Sequence, residues 1–165
     1  ETTPGVYEIK MYEWAPVHIK NVLKLSELDD LYLDEEGKMT SDPISMYHGW
    51  FAGGYLNILM NYIILDKSKT VHDFDLVYDD VKSVGDTIYV NLVHNAHGEY
   101  YGSSSVKEGN LSINTDYASF QFGNLRPDGY EGKVLRLDWI WHKYNNGYIQ
   151  AETDRFSSNA VIPKF

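Results

Sequence analysis

The chain has 165 residues, 43% of them apolar and 23% charged, which is globular composition and excludes disorder or a fibre. With 14 basic and 24 acidic residues the formal net charge is −10. That balance argues against nucleic acid or anionic lipid as a partner, since both need clustered Lys and Arg. Cysteine is absent, so disulfides, zinc–thiolate sites and thiol nucleophiles drop out.

In chain order, Val6–Trp14 alternates as an extended strand, and Pro16 allows continuation only at an edge or bulge. Val17–Leu25 either extends it or connects onward. Leu28–Pro43 is acidic and turn-rich and reads as an exposed connection with one short helical turn. Ile44–Phe51 and Tyr55–Leu65 read as strands joined by Ala52-Gly53-Gly54, a hairpin signal. Leu56, Ile58, Met60, Tyr62 and Ile64 share one face, with Leu59 and Ile63 on the other, as in a central strand. The longest apolar stretch, interrupted by Asn57 and Asn61, is too short and polar for a transmembrane span.

Asp66–Lys69 reads as a turn, and Val71–Tyr78 and Thr87–His94 as strands. Asn95–Ser105, rich in Gly, Ser and Tyr, reads as a loop. Leu111–Asn114 is a short strand, Asp116–Gln121 a brief strand or helical turn, and Asn124–Gly132 a loop. Lys133–Tyr144 is a strand with Leu135, Leu137, Trp139 and Trp141 on one face. Asn145-Asn146-Gly147 is a turn, and Tyr148–Glu152 returns as the last hairpin arm. Short strands with hairpin turns predict an all-β, antiparallel β-sandwich with few or no helices; a barrel stays open.

Three runs carry a family resemblance: Tyr55-Leu56-Asn57-Ile58 with Asn61-Tyr62, then His72–Val77, then Leu92-Val93-His94-Asn95-Ala96-His97-Gly98-Glu99. In that order they resemble the C-terminal domain of the NigD-like family, over about Leu23 to Ala151. The resemblance implies a Bacteroidetes cell-envelope lipoprotein, with an N-terminal OB-like domain and a C-terminal β-sandwich. It implies no enzyme activity and no cofactor, and a suggested bacteriocin-immunity role. On this reading residues 1–25 are the last strand of the OB-like domain or an extension, and 26–165 are the sandwich. The signal segment, lipidated Cys and most of the first domain are missing, so the chain reads as a trimmed product or a short divergent member. The full-length precursor is then extracytoplasmic, lipid-anchored to the outer membrane.

Among residues with chemical potential, His94 and His97 form H-x-x-H near Glu99, but strand and turn do not bring them together as a helix would. His94, Asn95 and Gly98 read instead as a motif that structures its loop, and no metal site is predicted. The acidic pairs at 29/30, 35/36 and 79/80 read as solvated loops. His72, Asp73 and Asp75 with Ser103–Ser105 lack any nucleophile elbow. Asn110-Leu111-Ser112 is a glycosylation sequon of little weight, and Asp86-Thr87-Ile88 matches a short O-glycan acceptor pattern that the resemblance makes relevant.

Aromatics are the functional lead: Trp50 and Tyr55 beside the Gly-Gly turn, Tyr100 and Tyr101 in the loop, and Trp141 on the late strand. Exposed aromatic faces stack on sugars or anchor protein partners, while Trp139 and Trp141 also fit a core. The sequence thus predicts a non-catalytic module binding an unknown protein or glycan at the envelope. A carbohydrate-binding module and an enzyme with a hidden site are the alternatives. An unpaired edge, that of residues 6–14, predicts strand-mediated dimerisation.

Overall fold

The computed structural model describes residues 17–28, 32–35, 37, 39–65, 71–101, 111–122, 129–146 and 148–162. Among the described residues there are nine strands: β1 Val17–Asn21, β2 Leu23–Lys24, β3 Ser45–Ala52, β4 Tyr55–Leu65, β5 Asp73–Tyr78, β6 Thr87–Asn95, β7 Leu111–Gln121, β8 Val134–Asn145 and β9 Tyr148–Val161. A 3₁₀ turn spans Leu25–Glu27. One sheet runs β1-β7-β4-β3 and the other β2-β5-β6-β8-β9. Together they form a β-sandwich. No helix among the described residues is long and apolar enough to cross a membrane.

Alternating side chains make the sandwich, because successive residues of a strand face opposite sides. Leu56, Ile58, Met60 and Tyr62 of β4 meet Phe74 and Leu76 of β5, Ile88, Val90 and Leu92 of β6, and Leu135 and Leu137 of β8 in one buried cluster. Fully burying a side chain such as Ile58 or Leu76 contributes roughly 1.5–3 kcal/mol. The β3–β4 turn places Gly53 and Gly54 at φ of 58° and 81°. A type I′ hairpin turn needs positive φ at both central positions, and glycine supplies it without strain.

Three features differ from the sequence reading. The sheets are mixed rather than purely antiparallel: β1 pairs with β7, β2 with β5 and β6 with β8 in parallel. Residues Val17–Lys24 enter both sheets, and Val22, only 7% exposed, is the pivot between them. Leu111–Gln121 is one continuous strand without a helical turn, because β4 pairs with it from Leu65↔Leu111 to Tyr55↔Gln121. The last arm runs to Val161, held by β8 along its length. The expected strand at 6–14, the turn at 66–69, the loop residues 102–105 and Asn110 of the sequon lie outside the described residues.

Candidate functional site

The Leu92–Glu99 motif closes β6 and turns back over one end of the sandwich. Asn95 Oδ1 accepts the His97 backbone N–H at 2.9 Å, and the Ala96 carbonyl accepts that of Glu99 at 2.9 Å. His97 and Gly98 adopt φ of 50° and 85°, so the chain reverses tightly there. The residues before β3 clamp the motif from the side. Ser41 Oγ accepts the His94 backbone N–H at 2.9 Å, Asp42 Oδ2 accepts that of Ala96 at 2.7 Å, and the His94 carbonyl accepts that of Asp42 at 2.8 Å.

Beneath the turn lies a buried pair of imidazoles. His94 Nδ1 bonds the Pro43 carbonyl at 2.9 Å and its Nε2 meets His72 Nδ1 at 2.8 Å. A carbonyl only accepts, so Nδ1 of His94 carries the proton, and Nε2 accepts one from His72. His72 Nε2 in turn lies 3.7 Å from Glu99 Oε2. Phe74 and Tyr62 pack against the His94 ring at 5.1 and 5.5 Å between centroids. Burial drives the His94 pKa down to about 3, with the Pro43 carbonyl opposing and His72 adding to the fall. Burial also lowers His72, with Glu99 opposing. Both rings are therefore neutral near pH 7.

His97 points elsewhere, to Asp73 Oδ2 at 2.9 Å. The H-x-x-H pair therefore does not converge, and no group of three or more metal-ligating side chains occurs among the described residues. Asp73, Asp75 and Asp42 border an open cleft of about 570 Å³, together with Lys20, Tyr32 and His94. Its groups are already engaged. Asp75 receives Lys20 Nζ at 3.2 Å and the Tyr32 hydroxyl at 3.3 Å, while Asp42 and Asp73 hold the motif as above. Burial, with Asp75 beside it, raises the Tyr32 pKa, so the phenol stays a donor.

The same end of the sandwich carries an apolar groove of about 360 Å³. Ile63, Leu111 and Ile113 form one wall, and Tyr101, Tyr148 and Ile149 the other. Tyr148 is 74% exposed and Ile113 61%. The Tyr101 ring stands edge-on to His142, 5.8 Å between centroids, and His142 is fully buried. Burial lowers the His142 pKa, the Ala151 and Gln150 backbone opposing. Tyr100, half-buried, is the neighbour of Tyr101 in the chain.

The expected aromatics do not gather in one place. Trp50 and the half-buried Tyr55 flank the β3–β4 turn, at the opposite end of β4 from the Tyr101 groove. Trp50 is 38% exposed and stacks on His48 at 5.7 Å. Trp141 is corrected: at 6% exposure it is a buried side chain, because it continues the inward row of Leu135, Leu137 and Trp139. Sequence reasoning missed Tyr148 and Ile113, which it placed in strands without asking what covers them. It also missed Ser41 and Asp42, read as part of an exposed connection. Their signal, a Ser-Asp-Pro run just before a strand, marks a turn without saying what it holds.

A family model described as the NigD-like C-terminal beta sandwich domain matches residues 28–153. The crystal structure of a NigD-like immunity protein from Bacteroides caccae is similar at a TM-score of 0.54 and 19% identity, over 87% of this chain and 64% of that one. The structure of a protein of unknown function from Bacteroides vulgatus is similar at 0.50 and 14% identity, over 89% of this chain and 58% of that one. The chain thus spans about three fifths of the length of these matches. At such identities the likeness is one of fold. No curated protein matches the chain.

Proposed function

The chain belongs to the NigD-like C-terminal β-sandwich family, and from that premise we propose that it is a non-catalytic recognition domain of the cell envelope. Its partner is a protein, seated in the groove of Tyr101, Tyr148, Ile149 and Ile113. The observation that carries this is a division of labour at one end of the molecule. The motif's imidazoles, with Asp42 and Asp73 beside them, are engaged in holding a turn. Exposed Tyr and Ile side chains line the groove beside them. Tyr is enriched in binding hot spots, and two Tyr side chains line this groove.

Likeness to a NigD-like immunity protein from Bacteroides caccae supports an immunity-type role. The full-length precursor is then lipid-anchored at the outer membrane, where a toxin is met before it enters the cell. The test expresses that precursor in a bacteriocin-sensitive Bacteroides strain. Survival is expected to rise, and the double substitution Tyr101→Ala/Tyr148→Ala to remove the gain while the protein still reaches the outer-membrane fraction. Protection that persists in the double variant would sink the groove as the site. No protection against any bacteriocin of the genus would sink the immunity role.

A second reading, glycan capture, is favoured by Trp50, whose exposed ring is braced by stacking on His48. A glycan that binds the folded domain raises its melting temperature. A rise with one polysaccharide, lost in Trp50→Ala, would support this reading; no shift across a broad panel would count against it.

A further inference from the structure

Among the described residues the two sheets differ by one strand, four against five, and the mismatch falls at a single edge. β3 ends the smaller sheet and packs against β8. Where they meet, the Ile44 backbone N–H donates to the Ile140 carbonyl at 2.7 Å. β9 therefore projects one strand beyond β3. Directly paired residues share a face of a sheet. Phe156, Ser158 and Ala160 of β9, paired with Trp139, Leu137 and Leu135, thus lie on the core-facing side. Yet all three are exposed, Phe156 at 37%.

Between this row and β3 runs a groove of about 290 Å³. Its floor includes Leu56, Leu135 and Leu137, and its β3 wall Met46, Gly49 and Phe51. Gly49 and Phe51 pair with Ile58 and Leu56, so they too face inward. Gly49 leaves that wall without a side chain. On its other side β3 has no neighbouring strand among the described residues.

We propose that this groove takes one extended segment of a partner polypeptide, hydrogen-bonded to the free edge of β3 and laid across the inner face of β9. Among the described residues the vacancy is one strand wide. A second copy pairing β3 with β3 does not fit, because its own β8 would occupy the space of β9. The register of β3 with β4 shifts between Met46 and His48, so the regular edge offered is His48–Ala52. Backbone groups there supply affinity, and alternate side chains supply specificity.

The partner's inward residues are apolar and of small to medium size, to sit over Leu135 and Leu137 beside Gly49. Two residues beyond Phe156 on the same face, toward the Ile44 end, stands exposed Asp154. On a chain of net charge −10, it asks for Lys or Arg at that end of the segment.

The probe is a capped nine-residue peptide with valine at alternate positions, threonine between them and lysine at one end. A second version ends in glutamate. Amide hydrogen exchange on the full chain is expected to show peptide-dependent protection of His48–Ala52. Gly49→Leu should weaken binding at least tenfold by filling the groove. A Cβ at Gly49 meets Met46 Sδ at 3.6 Å and the Asn57 carbonyl at 3.8 Å, ordinary contacts that leave the fold intact. Asp154→Lys should weaken the lysine peptide by up to about fivefold, the scale of an exposed ion pair, and favour the glutamate one. This surface substitution decides the matter should Gly49→Leu fold poorly. Protection along β9 alone, or none anywhere, would overturn the proposal. So would a dimer in light scattering that Gly49→Leu abolishes, since the occupant would then be a second copy.

Discussion

His94 shows how one buried side chain couples this fold to pH. Its Nδ1 proton is committed to the Pro43 carbonyl and its Nε2 to His72. A second proton would turn Nε2 from acceptor to donor toward His72 and place a charge among Phe74 and Tyr62. Glu99, Asp42 and His97 are the other titratable groups acting on this pair. The folded pKa of about 3 lies below the ordinary 6.5, so the unfolded chain takes up the proton first. The contribution to stability is complete above pH 6.5 and falls as pH drops toward 3. His72 and His142 are lowered as well, so their contributions have the same sign. Urea unfolding should therefore give a smaller free energy at pH 5 than at pH 7.5. His94→Phe should flatten that difference. It should also cost about 1–3 kcal/mol at pH 7.5, since the Pro43 carbonyl and His72 Nδ1 lose their partner. Equal stability at both pH values in the native chain would refute the account. Tyr62 offers a second test. Its hydroxyl donates to Asp116 Oδ2 at 2.6 Å and accepts from Asn114 Nδ2 at 2.7 Å. Burial, helped by Asp116, pushes its pKa up, so it stays a donor. Tyr62→Phe should cost roughly 1.5–3 kcal/mol, the range for hydrogen bonds to a charged group; a loss below about 0.5 kcal/mol in the same assay would show that Asp116 finds another partner.

Elements whose stability is local were legible, and those held from outside were not. The β3–β4 hairpin carries its own signal in Gly53-Gly54, and β4 in its period-two stripe. β7 breaks that period at Asn114–Asp116, so it reads as two pieces. It is one strand because β4 and β1 flank it, supplying backbone partners whatever its side chains prefer. β9 is polar and exposed for most of its length, and its existence beyond Glu152 rests on β8. The candidate site follows the same rule. The turn chemistry of Asn95 and Gly98 is local and visible. The contact between His72 and His94 is not, since it depends on the β5–β6 register that sets Phe74 opposite His94. Exposure is equally non-local, which is why the sequence left Trp141 open between core and surface and said nothing of what covers Tyr148. The hairpin supplies the prediction at this scale. Gly54 sits at φ 81° with nothing within 4 Å of a built Cβ, so Gly54→Ala strains only the backbone. The expected loss is about 1–2 kcal/mol in urea unfolding, with no change in the β3–β4 amide contacts seen by NMR. No loss would mean that the turn tolerates another geometry.

For the molecule as a whole, the short segment Val17–Lys24 ties the two sheets together. β1 covers the free side of β7, Val22 turns into the core, and β2 lies beside β5 in the opposite sheet. Side chains repeat the tie. Lys20 Nζ reaches Asp75 Oδ1 at 3.2 Å across the layers, and the His18 ring meets Phe74 edge-on at 5.8 Å. Both pairings, β1 with β7 and β2 with β5, are parallel. A unit boundary at residue 25, which the sequence resemblance implies, would cut through these contacts. A chain beginning at residue 26 would expose the edges of β7 and β5 and empty the site of Val22. It should unfold without a cooperative transition, or with a midpoint in urea far below that of the full chain. A chain beginning at Val17 keeps both strands and should unfold as one unit. Should the shorter chain match the longer in midpoint and slope, residues 17–25 would belong energetically to whatever precedes them, and the sandwich would stand without its clip.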